Sequence, residues 1–159
     1  MPIAAPGARF VGWSDYLCPW CANAAVRLAR LEDAYEGRVA IEWRSYLLRP
    51  HPRPAPGDAH EAAERREEFD RYTQGWRVPG SEPDAAELVP WDDAASDDPP
   101  SHSMPAQLVA KAAQRIDGAA FARLHAALFR AYFAERRDIS APPVLRALWE
   151  QSGLAPARF

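Results

Sequence analysis

Two cysteines are all this chain carries, and they stand three positions apart in Cys18-Pro19-Trp20-Cys21. A pair at that spacing can cycle between dithiol and disulfide. A thiolate at one sulfur attacks a substrate disulfide, and the other sulfur, one helical turn on, resolves the mixed disulfide that results. The same spacing also makes half a zinc site, but a structural zinc takes about four protein ligands. There is no second cysteine pair, and His51, His60, His102 and His125 lack the short spacing of paired histidine ligands. The expectation is therefore no metal. A purely structural disulfide is disfavoured too, because a bridge closed within one helical turn is strained and easily reduced.

What such a pair does depends on the elements that hold it. Phe10, Val11, Trp13 and Tyr16 form an apolar run into the motif, read as a buried strand over about Arg9–Ser14. Beyond Cys21, the residues Ala24, Ala25, Leu28, Leu31 and Tyr35 recur at helical steps, with Arg27, Arg30, Glu32 and Asp33 between them. Pro19 suits a first helical turn and Gly37 a helix stop, so Cys18 falls at a helix N-terminus. Unpaired amides and the helix dipole there favour a thiolate. Trp20 adds no positive charge of the kind a histidine between the cysteines would supply, so the pair is expected to be less acidified and a milder oxidant. From Arg38 to Leu48 the pattern alternates, with Val39, Ile41, Trp43 and Leu47 on one parity and Glu42 and Arg44 on the other. Strand, helix and strand then make a right-handed parallel βαβ unit, whose sheet needs cover on both faces.

The proline-rich run Arg49 to Gly57 blocks regular structure and reads as a connector. His60 to Thr73 is a charged, largely exposed helix anchored by Phe69 and Tyr72, and Gly75 to Pro100 is turn-rich, pinned by Trp76, Leu88, Val89 and Trp91. Within it, Asp92, Asp93, Asp97 and Asp98 lack the glycine and final glutamate of a calcium loop and read as a solvated face. Ser103 is placed as the N-cap of a helix bearing Leu108, Val109, Ala112, Ala113 and Ile116, which stops at Asp117-Gly118. The next helix carries a continuous stripe of Phe121, Leu124, His125, Leu128, Phe129, Tyr132 and Phe133. His125, inside that stripe, reads as a hydrogen-bonded core residue rather than a ligand or base. Ser140 is expected to cap a third helix with Val144, Leu145, Leu148 and Trp149 on one face and Gly153 past its end. The division is a βαβ part at 1–49, a linker at 50–59 and a helical domain at 60–159.

The chain has 159 residues, 48% hydrophobic and 26% charged, enough for one domain core. A net charge of −3 offers no general attraction to nucleic acid or anionic lipid. No segment approaches the roughly 18 apolar residues of a membrane span. The first residues have no basic start and apolar run of an export signal, which places the chain in the cytoplasm, where a close cysteine pair means catalysis more often than a permanent bridge.

Ser14-Asp15-Tyr16-Leu17-Cys18-Pro19-Trp20-Cys21 resembles the active-site loop of the DsbA family, specifically its FrnE-like cytoplasmic branch. Ala127-Leu128-Phe129-Arg130-Ala131-Tyr132-Phe133, with Arg137-Asp138-Ile139-Ser140 and Val144-Leu145, is similar to that branch's helical insertion. The resemblance implies an α/β, thioredoxin-like fold with an inserted α-helical domain. It makes Cys18 the nucleophile and Cys21 the resolving cysteine, with protein or small thiol substrates and no cofactor beyond the Cys18–Cys21 couple. Gln107 follows Ala106 where relatives often carry histidine, so no role is transferred to it. The resemblance further implies a hairpin, a last helix and a cis-proline facing the pair. These C-terminal sheet elements are missing before Phe159, and Pro142, Pro143 and Pro156 belong to the helical part. Two strands alone make no stable sheet, so the chain is expected to be C-terminally short or completed by another chain, with an exposed edge that favours homo-oligomers. One alternative is a relative of the kappa-class glutathione transferases or isomerases, which carry serine at the first position and no cysteine pair. Another is an inactive truncated fragment or binding scaffold.

Overall fold

A computed structural model describes residues 7–35, 37–92 and 98–159; Asp93 and Asp97 of the acidic stretch lie outside them. Strand β1 (Ala8–Ser14), helix α1 (Pro19–Ala34) and strand β2 (Val39–Ser45) form the expected parallel βαβ unit, in register from Ala8 opposite Val39 to Ser14 opposite Ser45. Gly37, at φ +80°, takes the left-handed turn that lets the chain leave α1 for β2. Gly12 faces Trp43 across the ladder, and a Cβ there would meet the indole at 3.0 Å, so the glycine allows that ring to lie over β1.

The expectation of a buried first strand is corrected. Phe10, Val11 and Trp13 are 48, 46 and 60% exposed. Apolar sequence marks surface that can be buried; it is buried only where another layer lies on it, and among the described residues the sheet has just these two strands. The buried face of α1 also differs from the stripe read from the sequence. Ala22, Asn23 and Ala25 are buried, Leu28 and Leu31 only half-buried, and Tyr35 exposed. The small side chains let α1 approach its neighbours closely, which longer residues on the adjacent face do not.

The connector carries no regular element up to α2 (Ala59–Gln74), which Asp58 caps by accepting from the Glu61 amide. Phe69 is buried as expected, whereas Tyr72 keeps its ring partly exposed. The four-residue helix α3 (Arg77–Gly80) follows within the segment read as turns. Trp76 and Trp91 pin this segment. Trp76 meets Tyr132 and Phe133 edge-on at 5.5 and 4.8 Å, and Trp91 packs on Phe69 and Tyr132. Leu88 and Val89 are half-buried beside them, and the Val89 amide donates to the Phe133 carbonyl at 2.8 Å.

Three helices complete the chain: α4 (Met104–Ile116), α5 (Gly118–Phe133) and α6 (Pro142–Gln151), before a short 3₁₀ turn over Pro156–Arg158. Every residue of the expected α5 stripe is buried, and α5 packs against α1, α4 and α6. Asp117 both ends α4 and caps α5 through the Ala120 amide. Two caps differ from expectation. Ser103 occupies the N-cap position of α4, but its hydroxyl and amide both donate to the Arg49 carbonyl, tying the helix to the connector. Ser140 precedes α6 rather than capping it; its hydroxyl bonds the Asp138 carboxylate, and Pro142-Pro143 preset the first turn after Ala141. The face of α4 that is buried carries Ala106, Gln107, Ala110 and Ala113, leaving Leu108 exposed. Leu145, Leu148 and Trp149 of α6 are buried, and Gly153 turns the chain at φ +81°.

One continuous cluster of buried side chains runs from Tyr16 and Leu17 through α5 to Leu154. Leu128→Ala, at a fully buried position of α5, is expected to cost about 2–5 kcal/mol in urea denaturation, whereas Leu108→Ala should stay within about 0.5 kcal/mol.

Candidate active site

The chain must pass from the end of β1 to the start of α1 within four residues, and buried polar contacts shape that passage. The Asp15 carboxylate is 1% exposed and accepts two main-chain amides, Leu17 through Oδ1 and Leu48 through Oδ2, each at 2.7 Å. One side chain therefore joins the exits of both strands. The Asp15 carbonyl accepts the Cys18 amide at 3.2 Å, which closes the turn.

Each helix around the loop adds a contact. Gln107 of α4 donates to the Ser14 carbonyl at 2.8 Å, and the Tyr72 hydroxyl of α2 donates to the Leu17 carbonyl at 3.1 Å. The Tyr16 hydroxyl meets His125 Nδ1 of α5 at 2.8 Å. Asn23, buried one turn into α1, donates to the Pro79 carbonyl and accepts the Ala86 amide, both at 2.8 Å, so the 75–91 segment is fastened beside the motif.

Cys18 is the N-cap of α1, as expected, and its Sγ accepts the Cys21 amide at 3.4 Å. Pro19 stands in the first turn, where its missing amide hydrogen costs nothing. Both cysteines are free thiols and half-buried, and Trp20 between them is exposed. The pair titrates as a unit. Cys18 is pushed up, first because its thiol donates to Cys21 and then by burial. Cys21 is lowered to about 6, first by accepting that hydrogen; burial opposes the shift, and the nearby Asp15 amide and Ser14 hydroxyl assist it. The negative charge is thus favoured on Cys21 rather than on Cys18, the reverse of the thiolate expected at the helix N-terminus.

Three of the four histidines are engaged elsewhere. His60 lies 3.5 Å from Glu64, His102 bonds Ser101, and His125 sits in a ring of Tyr16, Trp43, Phe121 and Phe129. Burial first, and the Lys111 charge second, lower His125 to about 4, so it stays neutral at ordinary pH. Among the described residues no group of three or more His, Cys, Asp or Glu side chains is placed to hold a metal, and no helix is long and apolar enough to cross a membrane.

Sequence reading located both cysteines but assigned nothing to Asp15, Tyr16 or Asn23. The available signal was polar residues inside otherwise buried runs; which groups they would meet is set by segments 30 to 110 positions away.

The family profile described as the DSBA-like thioredoxin domain matches residues 11–159. No curated protein matches the sequence. Among solved structures, the chain is similar to a probable DsbA oxidoreductase from Streptomyces coelicolor, at 21% identity and TM-score 0.62 over 94% of this chain and 64% of that one. It is similar to a protein provisionally named a disulfide isomerase from Nitrosomonas europaea, at 15% identity and TM-score 0.58 over 96% and 66%. It also resembles the cytosolic disulfide reductase DsbM from Pseudomonas aeruginosa, solved with GSH, at 22% identity and TM-score 0.53 over 91% and 64%. The chain therefore spans slightly less than two thirds of the length of these structures.

Absorbance at 240 nm against pH, with a double Cys→Ser blank, should show one thiolate forming near 6 and the other only above the usual thiol value of 9.0. Two overlapping transitions near that value would contradict the split between the sulfurs. His125 yields a second expectation. Between about 4 and the ordinary histidine value of 6.5 the unfolded chain binds the extra proton, so this residue makes stability rise with pH across that window. His125→Phe should flatten that part of the rise when urea midpoints are compared at its two ends.

Proposed function

This chain belongs to the DSBA-like thioredoxin domain family, and from that premise we propose that it is a thiol–disulfide oxidoreductase acting through Cys18 and Cys21. The observation that carries the reading is the pair itself: two free thiols at a helix start, the first as N-cap accepting the amide of the second. Cys18, the N-cap, attacks a substrate disulfide and passes its proton to the Cys21 thiolate. The substrate S–S bond breaks, and the departing sulfur takes the proton from Cys21. Cys21 then attacks the mixed disulfide at Cys18, forms the intramolecular bridge and releases the second substrate sulfur as thiolate. Run backwards, the same steps oxidise a dithiol.

The attacking sulfur, Cys18, is pushed up rather than acidified, which supports the moderate oxidant expected from Trp20 between the cysteines. Exposed Trp20, Tyr46, Leu48 and Tyr72 surround the loop: the Tyr46 amide donates to Ser14, the Leu48 amide to Asp15 and the Tyr72 hydroxyl to Leu17. Such a rim suits an extended polypeptide or a small thiol. Placement in the cytoplasm, in the FrnE-like branch, is part of the same proposal, supported by the shared fold of a reductase named as cytosolic.

Insulin reduction by the wild-type chain and by Cys18→Ser tests the mechanism. Loss of turnover in Cys18→Ser, together with a trapped mixed disulfide in Cys21→Ser, is the expected result; equal rates in wild type and Cys18→Ser would rule it out.

A further inference from the structure

Three buried polar atoms border one small cavity and find no hydrogen-bond partner in the protein: Ser14 Oγ, Ser45 Oγ and His125 Nε2. Trp76 Nε1, the other such atom among the described residues, does not border it. The gathering follows from the fold. Ser14 and Ser45 are register partners at the end of the sheet, so their side chains leave the same face. His125 reaches that corner from α5, its ring 4.5 Å from Trp43. From α4, Gln107 donates to the Ser14 carbonyl and Lys111 to the Trp43 carbonyl at 2.7 Å, and both side chains line the cavity. The space suits about one water molecule. Three desolvated, unpaired polar groups disfavour folding, whereas one water, with two hydrogens to donate and two lone pairs, can satisfy all of them.

We propose that Ser14, Ser45 and His125 bind a single water molecule, and that through it His125 acts as a positioning residue that holds the Ser14 hydroxyl toward Cys21. In the tautomer assigned with this proposal, the Tyr16 hydroxyl donates to Nδ1 across their 2.8 Å contact and the ring hydrogen is on Nε2. Nε2–H donates to the water, and the water donates one hydrogen to each serine oxygen. Ser14 O–H, at the end of the strand that leads into the first turn of α1, is then free to turn toward the Cys21 sulfur and favour its thiolate. His125 thereby grips the loop on both sides of Asp15, directly through Tyr16 and through the water at Ser14. The charged and titratable groups facing this corner are Asp15 and Tyr16 on the loop, Arg44 on β2 and Lys111 on α4. The water site stands on its own geometry; the positioning role rests on the reading of Cys18 and Cys21 as the reactive pair.

A crystal structure that resolves ordered waters should place one oxygen within hydrogen-bonding distance of all three atoms. A direct Ser14–Ser45 bond with no density between them and His125 would overturn the site. Iodoacetamide alkylation of the reduced chain against pH reads the thiolate without requiring disulfide exchange, so failure of the enzyme reading and failure of this inference stay separate. Ser45→Ala and Ser14→Ala are each expected to move the profile up by about half a unit, slowing alkylation below the midpoint about threefold, and the double variant should add nothing beyond Ser14→Ala. Natively folded single variants with unmoved profiles would overturn the positioning role. His125→Gln, whose amide can still reach the water, should keep more of the wild-type profile than His125→Leu; equal loss in the two would make His125 a packing residue only.

Discussion

A cysteine pair of this spacing lies along one helical turn when its first sulfur stands at the helix start, and here the strand before it turns into that helix within four residues. Asp15 carries this constraint. Its buried carboxylate accepts the Leu17 and Leu48 amides, so the turn after β1 and the exit from β2 are bound to one group. Buried carboxylates are tolerated where charge-assisted hydrogen bonds replace their hydration, and here both oxygens have such bonds. The position of Cys18 as N-cap, and the hydrogen bond its sulfur accepts, follow from that turn.

The helical half of the chain serves the same loop. α2, α4 and α5 each contribute one side chain, Tyr72, Gln107 and His125, that bonds a residue between Ser14 and Leu17. Their helices are in turn held by an aromatic core in which Trp76, Trp91, Tyr132 and Phe133 interlock. The loop's geometry is therefore coupled to the packing of α5, and a change deep in the helical part can reach the sulfurs without touching them. The opposite side is open. Phe10, Val11 and Trp13 lie on exposed strand surface, and α1, β2 and α5 border a largely apolar cavity of about 680 Å³.

The α5 stripe was legible because seven apolar or aromatic positions at helical spacing admit one arrangement, and burying them all requires neighbours on several sides. The βαβ unit was legible for a similar reason, from a change of period between Leu31 and Val39. Ser103 is the N-cap as read, while Ser140 is not; a serine hydroxyl near a helix start can accept a helix amide or donate elsewhere, and here the two donate to the Arg49 carbonyl and the Asp138 carboxylate. Leu108 and Leu28 show the same limit for apolar residues, whose burial depends on which face another element covers.

From the sequence alone came the chemistry of the motif: two sulfurs one helical turn apart and a proline that starts the helix, both of which depend on neighbours along the chain. Tertiary structure alone decided which groups hold the loop that carries the sulfurs. That outcome depends on side chains such as His125 and Gln107, about a hundred residues away, meeting the loop at hydrogen-bond distances. Residue type and local spacing carry no record of such meetings, because packing of the whole core sets them.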